Sequence, residues 1–320
     1  MIKPKRLVWG DTIGVISPSF SLTKRFVHPS IKLLNKLGFN VKLGKHVYSK
    51  YGFMAGNDEK RAGDIHAMFK DKQIKAIFCA AGGSGANRLL PLINFDMIKK
   101  NPKIFIGMSD ITYLTTSIHE KTGLITFHGP NIISGIYHCD FKKHNLKRCA
   151  NIKYMLEALT NPGYKEKIKD FEVIKKGRGA GRLIGGNLRC LENLNGTKFM
   201  PDYKNKILFW EELDEDASEI SRMLMNLKLC GVFDKIKGMA IGNLFDCPPY
   251  KNMTIKKVVL DITKDYKFPI IYNVDFGHVC KNITLPIGVK AKIDTEKRTF
   301  EVMENAVKKI NLVCIRTRTH

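Results

Sequence analysis

Ile74-Lys75-Ala76-Ile77-Phe78-Cys79-Ala80-Ala81-Gly82-Gly83-Ser84-Gly85-Ala86-Asn87 decides the fold class of this 320-residue chain. Residues 74–80 are too few for a helix and apolar enough for a strand buried on both faces. The glycines after them turn the chain, and 86–93 then opens a helix. The same order recurs on either side. Upstream, Thr12-Ile13-Gly14-Val15-Ile16-Ser17 is a strand stopped by Pro18, followed by a helix over 30–37 ended by Gly38 and a short strand over 41–43. A helix over 57–70 has Asn57 or Asp58 as N-cap and Ala62, Ile65, Met68 and Phe69 at helical spacing. Downstream come a strand at 104–107 and a helix at 111–121. Strand, loop and helix in repetition predict an α/β domain over 1–135, built on a mostly parallel open sheet with flanking helices.

Between 136 and 180 the periodicity weakens, charge rises and Asn161-Pro162-Gly163 breaks the chain, so an inter-domain connection is expected there. Residues 181–320 predict a smaller C-terminal α/β domain with a β-rich, barrel-like core. In it Gly185-Gly186-Asn187 precedes a helix, strands occupy 206–210, 238–244 and 270–274, and a helix spans 218–229. A hairpin joins 289–293 to 299–302. No internal repeat is present.

With 44% hydrophobic and 26% charged residues and no low-complexity tract, disordered, collagenous and disulfide-scaffold classes are excluded. No apolar run approaches the ~20 residues of a membrane span, and Met1-Ile2-Lys3-Pro4-Lys5-Arg6 has no apolar segment behind it. Neither export nor membrane insertion is expected. Lys and Arg number 54 against 30 Asp and Glu, giving a net charge of +24 that attracts polyanions without specificity. The basic residues are scattered, most densely over 142–182 (Lys142, Lys143, Lys147, Arg148, Lys153, Lys165, Lys167, Lys169, Lys175, Lys176, Arg178, Arg182). They form no basic helix, zinc-finger spacing or aromatic RNA-binding signature, so a solvated surface rather than a nucleic-acid partner is expected. The eight cysteines (79, 139, 149, 190, 230, 247, 280, 314) include no Cys-x-x-Cys pair and are expected as buried free thiols in a reducing, cytoplasmic compartment.

Ligand sites of open α/β sheets lie beyond the carboxyl ends of the strands. There Ile104-Phe105-Ile106 runs through Gly107-Met108-Ser109-Asp110 straight into a helix. This puts Ser109 on a sharp strand-to-helix turn, with the Asp110 N–H where negative charge is stabilised. Such a serine is either a nucleophile or a helix cap. The 81–87 loop, with Gly82, Gly83, Ser84 and Gly85, fits neither the dinucleotide nor the P-loop fingerprint; it is either an anion or oxyanion cradle or a close-packed turn. Glu211-Glu212 closes the strand ending in Trp210 and begins an acidic stretch (Asp214, Glu215, Asp216, Glu219) that suits a helix N-terminus. Of nine histidines only His128 and His278 occupy post-strand loops; His28, His46, His66, His119, His138, His144 and His320 belong to the surface or helix faces. No metal-ligand spacing occurs, and no metal is expected.

These positions together resemble the serine L,D-carboxypeptidase family of muramoyl-tetrapeptide carboxypeptidases, including its branch of microcin C self-immunity carboxypeptidases. The matching motifs run along almost the whole chain. They are Gly10-Asp11-Thr12-Ile13-Gly14-Val15 with Ser17-Pro18-Ser19, Lys60-Arg61-Ala62, Gly82-Gly83 with Asn87-Arg88-Leu89-Leu90-Pro91, and Ile106-Gly107-Met108-Ser109-Asp110. They continue with Thr122-Gly123, His128-Gly129-Pro130, Gly185-Gly186-Asn187-Leu188, Leu208-Phe209-Trp210-Glu211, Arg222-Met223-Leu224, Gly231-Val232-Phe233, and His278 ahead of Leu285-Pro286-Ile287-Gly288. The resemblance implies Ser109 as nucleophile, Glu211 and His278 as the rest of a triad, and an oxyanion hole from the N–H groups of Asp110 and Gly83. Gly82, Ser84 and Asn187 line the substrate, with Gly82 also a rival oxyanion donor and Asn187 equally the start of a capped helix. Glu212 stands where the family more often has Asp, and the strand-end position favours Glu211.

Ala81-Gly82-Gly83-Ser84-Gly85 stands where many L,D-carboxypeptidases carry Arg-Gly-Gly-Tyr-Gly, which is closer to the immunity branch. That branch has a long Trp-containing insertion where 135–180 here is short and lacks Trp. The implied function is a cofactor-free serine carboxypeptidase releasing the terminal D-Ala of a recycled murein tetrapeptide. The alternatives are cleavage of a peptidyl-aminoacyl adenylate, giving antibiotic self-immunity, and a non-enzymatic anion-binding α/β protein. A small peptide is the implied partner, with lysines of 142–182 as candidates for its carboxylate, and a homodimer the implied assembly.

Overall fold

The computed structural model describes residues 1–133 and 150–309. Lys142, Lys143, Lys147 and Arg148 of the basic stretch lie outside the described residues, as do Cys139, Cys149, Cys314, His138, His144 and His320.

Two open sheets with flanking helices make a two-domain α/β fold. The first sheet runs β12-β5-β4-β3-β1-β2. Its parallel part is β1 (Thr12–Ile16), β2 (Asn40–Leu43), β3 (Ile74–Cys79), β4 (Ile104–Gly107) and β5 (Thr126–His128). The central strands β3 and β4 are buried on both faces apart from Lys75 near the start of β3, as their largely apolar runs require. Helices α1 (Lys24–Lys36), α2 (Asp58–Lys70), α3 (Phe95–Lys100) and α4 (Thr112–Thr122) flank it. Asn57 caps α2, accepting from the Lys60 N–H.

The second sheet runs β6-β14-β13-β8-β9-β10-β11-β7. Its members are β6 (Lys167–Ile168), β7 (Glu172–Lys175), β8 (Arg178–Asn187), β9 (Lys206–Leu213), β10 (Gly238–Phe245), β11 (Ile270–Val274), β13 (Lys290–Asp294) and β14 (Thr299–Val302). β8 to β11 are mutually parallel and the outer strands antiparallel. With β6 and β7 at its two edges this sheet is open, where a barrel-like core was expected; the expected hairpin is β13 and β14. The 136–180 segment contributes a helix, Ala150–Thr160, and both edge strands. The chain later returns to the first sheet through β12 (Leu285–Ile287), antiparallel to β5. One apolar cluster accordingly joins Ile106 and Phe127 of the first sheet to Phe209 and Ile271 of the second.

Prolines account for three departures from the expected elements. Pro29 lies inside α1, which begins six residues before the expected start because burial of Val27, Ser30, Leu33 and Leu34 outweighs one lost hydrogen bond. Pro91 turns the expected 86–93 helix into a 3₁₀ segment, Asn87–Leu92. Pro286, expected in a turn, sits in edge strand β12, where a missing N–H is tolerated. The cysteines also differ: Cys79 and Cys190 are buried, Cys230 and Cys247 half-buried, and Cys280 exposed in its loop. His119 is buried, not on an outer face, with Nδ1 held by the Leu124 carbonyl at 2.9 Å. Among the described residues no helix is long and apolar enough to cross a membrane.

Candidate active site

The parallel strands β1, β3 and β4 deliver three loops to one end of the first sheet. At the end of β4 the side-chain amide of Asn131 brackets Met108: the Met108 N–H donates to Oδ1 (3.1 Å) and Nδ2 donates to the Met108 carbonyl (3.2 Å). The next residue, Ser109, takes φ +62°, a left-handed conformation that costs a non-glycine residue about 1–3 kcal/mol and is tolerated only where its surroundings impose it. Ser109 caps neither the short 3₁₀ turn it begins nor α4, whose cap positions are Met108 and Ile111.

Asp110 anchors the neighbouring loops. Its buried Oδ2 accepts from Ser19 Oγ (2.5 Å) and from the Ala86 N–H (2.8 Å), tying the loops after β1 and β3 to the β4 turn. Burial raises its carboxyl pKa against the opposing pull of those donors. Arg61 of α2, itself buried, donates from Nη1 to the carbonyls of Pro18 and Gly85 and from Nη2 to Asp58 at 2.6 Å. The glycine loop is thus pinned at Gly85 and Ala86 before any ligand arrives.

Gly82 lies against the serine. A Cβ there would stand 2.8 Å from Ser109 Cβ, 3.0 Å from its Oγ and 3.3 Å from the Asp110 nitrogen. At Gly83, with φ +111°, a Cβ would run into the Phe20 ring at 2.3 Å. Gly82→Ala should therefore displace the serine and lower kcat/KM by about 10²-fold while the melting temperature changes little. Steady-state rates with thermal unfolding check this; unchanged rates would mean the Ser109 side chain is not the reacting group.

The second sheet supplies the facing groups. Glu211 stands near the end of β9, opposite Asn187 of β8. It is fully buried and its Oε2 lies 2.7 Å from His278 Nδ1. His278 follows β11, and Gly277 (φ +113°) brings the loop so close that a Cβ there would sit 2.9 Å from Glu211 Cβ. Burial alone would lift the Glu211 carboxyl pKa, but the charge of His278 and the bond to it outweigh burial and hold it below the ordinary range. The same opposition acts on His278: burial lowers its pKa, the Glu211 carboxylate raises it further, and the net shift is upward. With Nδ1 committed to the carboxylate, Nε2 is the ring nitrogen left for proton transfer.

Glu212, on the opposite face of β9, does different work. It accepts from Asn187 Nδ2 (2.6 Å) and from the Arg189 and Leu213 N–H groups, and burial pushes its pKa up to about 7. Asn187 has its other amide end on the Cys190 N–H, capping the helix Leu188–Asn193, so the cap role is the one its hydrogen bonds fill. Ser84 is exposed at the tip of the glycine loop.

Asn282 links the two halves. The Gly277 N–H donates to its Oδ1 and its Nδ2 reaches Met108 Sδ, both at 3.2 Å, joining the residue before His278 to the residue before Ser109. Ser109 and His278 make no direct hydrogen bond, and catalytic contacts of this kind commonly close only around substrate. Sequence reading missed Asn131, Asn282 and the buried Arg61 as site-building residues. For the two asparagines the signal was a polar side chain just ahead of apolar residues, Asn131 before Ile132-Ile133 and Asn282 before Ile283; Arg61, after Asp58-Glu59-Lys60, gave none of this kind. Among the described residues no three His, Cys, Asp or Glu groups gather as a metal site.

Known proteins share this architecture. Residues 13–129 match the family model for the LD-carboxypeptidase N-terminal domain and residues 180–293 that for the LD-carboxypeptidase C-terminal domain. The chain is 38% identical over 300 residues to a probable murein peptide carboxypeptidase of Bacillus subtilis (strain 168), covering 93% of each. It is 31% identical over 326 residues to the microcin C7 self-immunity protein MccF of Escherichia coli, covering 93% of this chain and 94% of that one. A solved structure of MccF in complex with aspartyl sulfamoyl adenosine superposes with a TM-score of 0.89 at 26% identity, covering 96% of this chain and all of that one. Muramoyltetrapeptide carboxypeptidase from Oxalobacter formigenes superposes with a TM-score of 0.80 at 26% identity, covering 91% and 97%.

Proposed function

The chain belongs to the LD-carboxypeptidase family of peptidases, and from that premise we propose that Ser109, His278 and Glu211 form a serine carboxypeptidase triad. The observation that carries this reading is the buried Glu211–His278 pair at 2.7 Å, set across the interface from a serine in a left-handed turn.

In this mechanism His278 Nε2 takes the hydroxyl proton as Ser109 Oγ attacks the carbonyl carbon of the last peptide bond. Glu211 stays ionised, fixes the ring tautomer and stabilises the imidazolium that forms. The oxyanion leans on the N–H groups of Asp110 and Gly83, with Gly82 close beside them. His278 returns the proton to the leaving amino group, then deprotonates the water that releases the acyl group from Ser109. Gly82 and Ser84 line the substrate directly. Asn187 supports the cleft through Glu212. No metal or cofactor enters any step, and a cytoplasmic homodimer is part of the same reading.

The substrate is a murein tetrapeptide losing its terminal D-Ala, a reading supported by the B. subtilis relative. The glycine loop and the MccF likeness favour a second substrate, a peptidyl-aminoacyl adenylate. Wild type offered murein tetrapeptide and a peptidyl sulfamoyl adenylate separately, in chelator, is expected to release D-Ala from the first with the higher kcat/KM. Cleavage of the adenylate alone would assign the enzyme to self-immunity, and inactivity on both would overturn the carboxypeptidase reading.

A further inference from the structure

One buried ionisable group takes no part in that mechanism. His128, the last residue of β5, has no solvent exposure, and neither ring nitrogen has a hydrogen-bond partner. Such orphaned polar atoms are rare in folded proteins and call for an explanation. The ring packs edge-on against Phe209 (5.6 Å between centroids) and Phe276 (6.2 Å). Phe209 lies two residues before Glu211 on the same face of β9, and Phe276 two residues before His278. Through these two rings His128 lies beside the strand and the loop that carry the pair, and the two groups whose charge it feels are Glu211 and His278. Glu211 carries an orphan of its own: Oε2 serves His278, while Oε1 is buried without a partner.

We propose that His128 is a positioning residue for Glu211, donating a ring N–H to Oε1 by a small rotation or through one water. The inference rests on the triad reading. A carboxylate anchored at one oxygen only can rotate away from the imidazole; anchored at both, it holds His278 in the plane needed to reach Ser109. Burial keeps His128 neutral, with a pKa lowered to about 4, so it donates without competing as a cation for the Glu211 charge.

Two substitutions separate positioning from packing. His128→Phe keeps a ring among Phe209 and Phe276 but removes the N–H; His128→Asn keeps an N–H donor but loses the ring. The positioning role predicts that the Phe variant melts no lower than wild type, keeps KM, and loses about 10-fold in kcat. The Asn variant melts lower yet stays within about 3-fold in kcat. The downfield Nδ1–H proton resonance of His278, read by NMR without substrate, should broaden in the Phe variant and persist in the Asn variant. In a Glu211→Gln background His128→Phe should cost nothing further, because its effect runs through the carboxylate. Wild-type kcat and resonance in the Phe variant, or losses that follow melting temperature, would overturn the proposal. If Glu211→Gln itself leaves the rate and the resonance untouched, the triad reading fails instead.

Discussion

Ser109→Ala is expected to lower kcat by at least about 10⁴-fold, leaving only what the oxyanion donors contribute over water. The fold should survive, because the Ser109 hydroxyl makes no structural hydrogen bond and the turn is held by Asn131 and Asp110 instead. Alanine is a poorer probe of strain than glycine at this position. The left-handed φ of +62° penalises both serine and alanine, so the alanine variant should melt close to wild type. Glycine removes both the proposed nucleophile and the penalty, and should be inactive yet more stable by about 1 kcal/mol. Rates of amino-acid release and thermal melts of the three proteins check this. An alanine variant with more than a few per cent of wild-type turnover would leave Ser109 as a turn residue of an enzyme with another nucleophile.

Glu211→Gln is the second large effect, about 10³–10⁴-fold in kcat, because the amide neither fixes the required tautomer nor stabilises the imidazolium. Its pH dependence carries more information than its size. The Glu211 carboxylate holds the His278 pKa above the ordinary imidazole value of 6.5, and in the proposed role of base His278 works only when deprotonated. Wild-type kcat/KM should thus rise with pH through an apparent pKa above 6.5, falling away as His278 protonates below it. In the Gln variant the attraction is gone while burial remains, so the acid limb should move to lower pH as the plateau drops. Profiles of both proteins between pH 5 and 9 decide it. An unmoved acid limb would mean the titrating group is not His278.

The parts of this protein legible in its sequence are those whose pattern is local. β4 is a continuous apolar run and β3 one broken only by Lys75, α2 has a capping Asn57 and apolar residues at helical spacing, and a parallel sheet points to the residues after its strands. What hid β8 was its glycines. Gly179, Gly181 and Gly185 weaken any strand pattern over these residues, yet a Cβ at these positions would collide with the backbone of Lys237, Asn205 and Phe209, so close strand packing selects them. β12 was hidden because its single neighbour, β5, lies far upstream in the chain. The helices Ala150–Thr160 and Ile255–Thr263 were not anticipated.

The candidate site divides in the same way. Ser109, Glu211 and His278 each follow or end a strand, which is a local signal. The groups that hold them are defined only by tertiary contact: Asn282 bridges residues 277 and 108, and Arg61 joins Pro18 to Gly85. His128 looked like a loop residue because β5 is three residues long; only the approach of the second sheet makes it a buried neighbour of Glu211.

The most direct test of the central claim, that His278 activates Ser109 for attack on a C-terminal peptide bond, is labelling by a fluorophosphonate followed by mass spectrometry of the digested protein. The claim predicts one phosphonyl group per chain on the peptide containing Ser109, formed in proportion to the D-Ala-releasing activity lost and absent from the His278→Ala variant. Full activity in a protein phosphonylated at Ser109, or inactivation with the label on another residue, would contradict it.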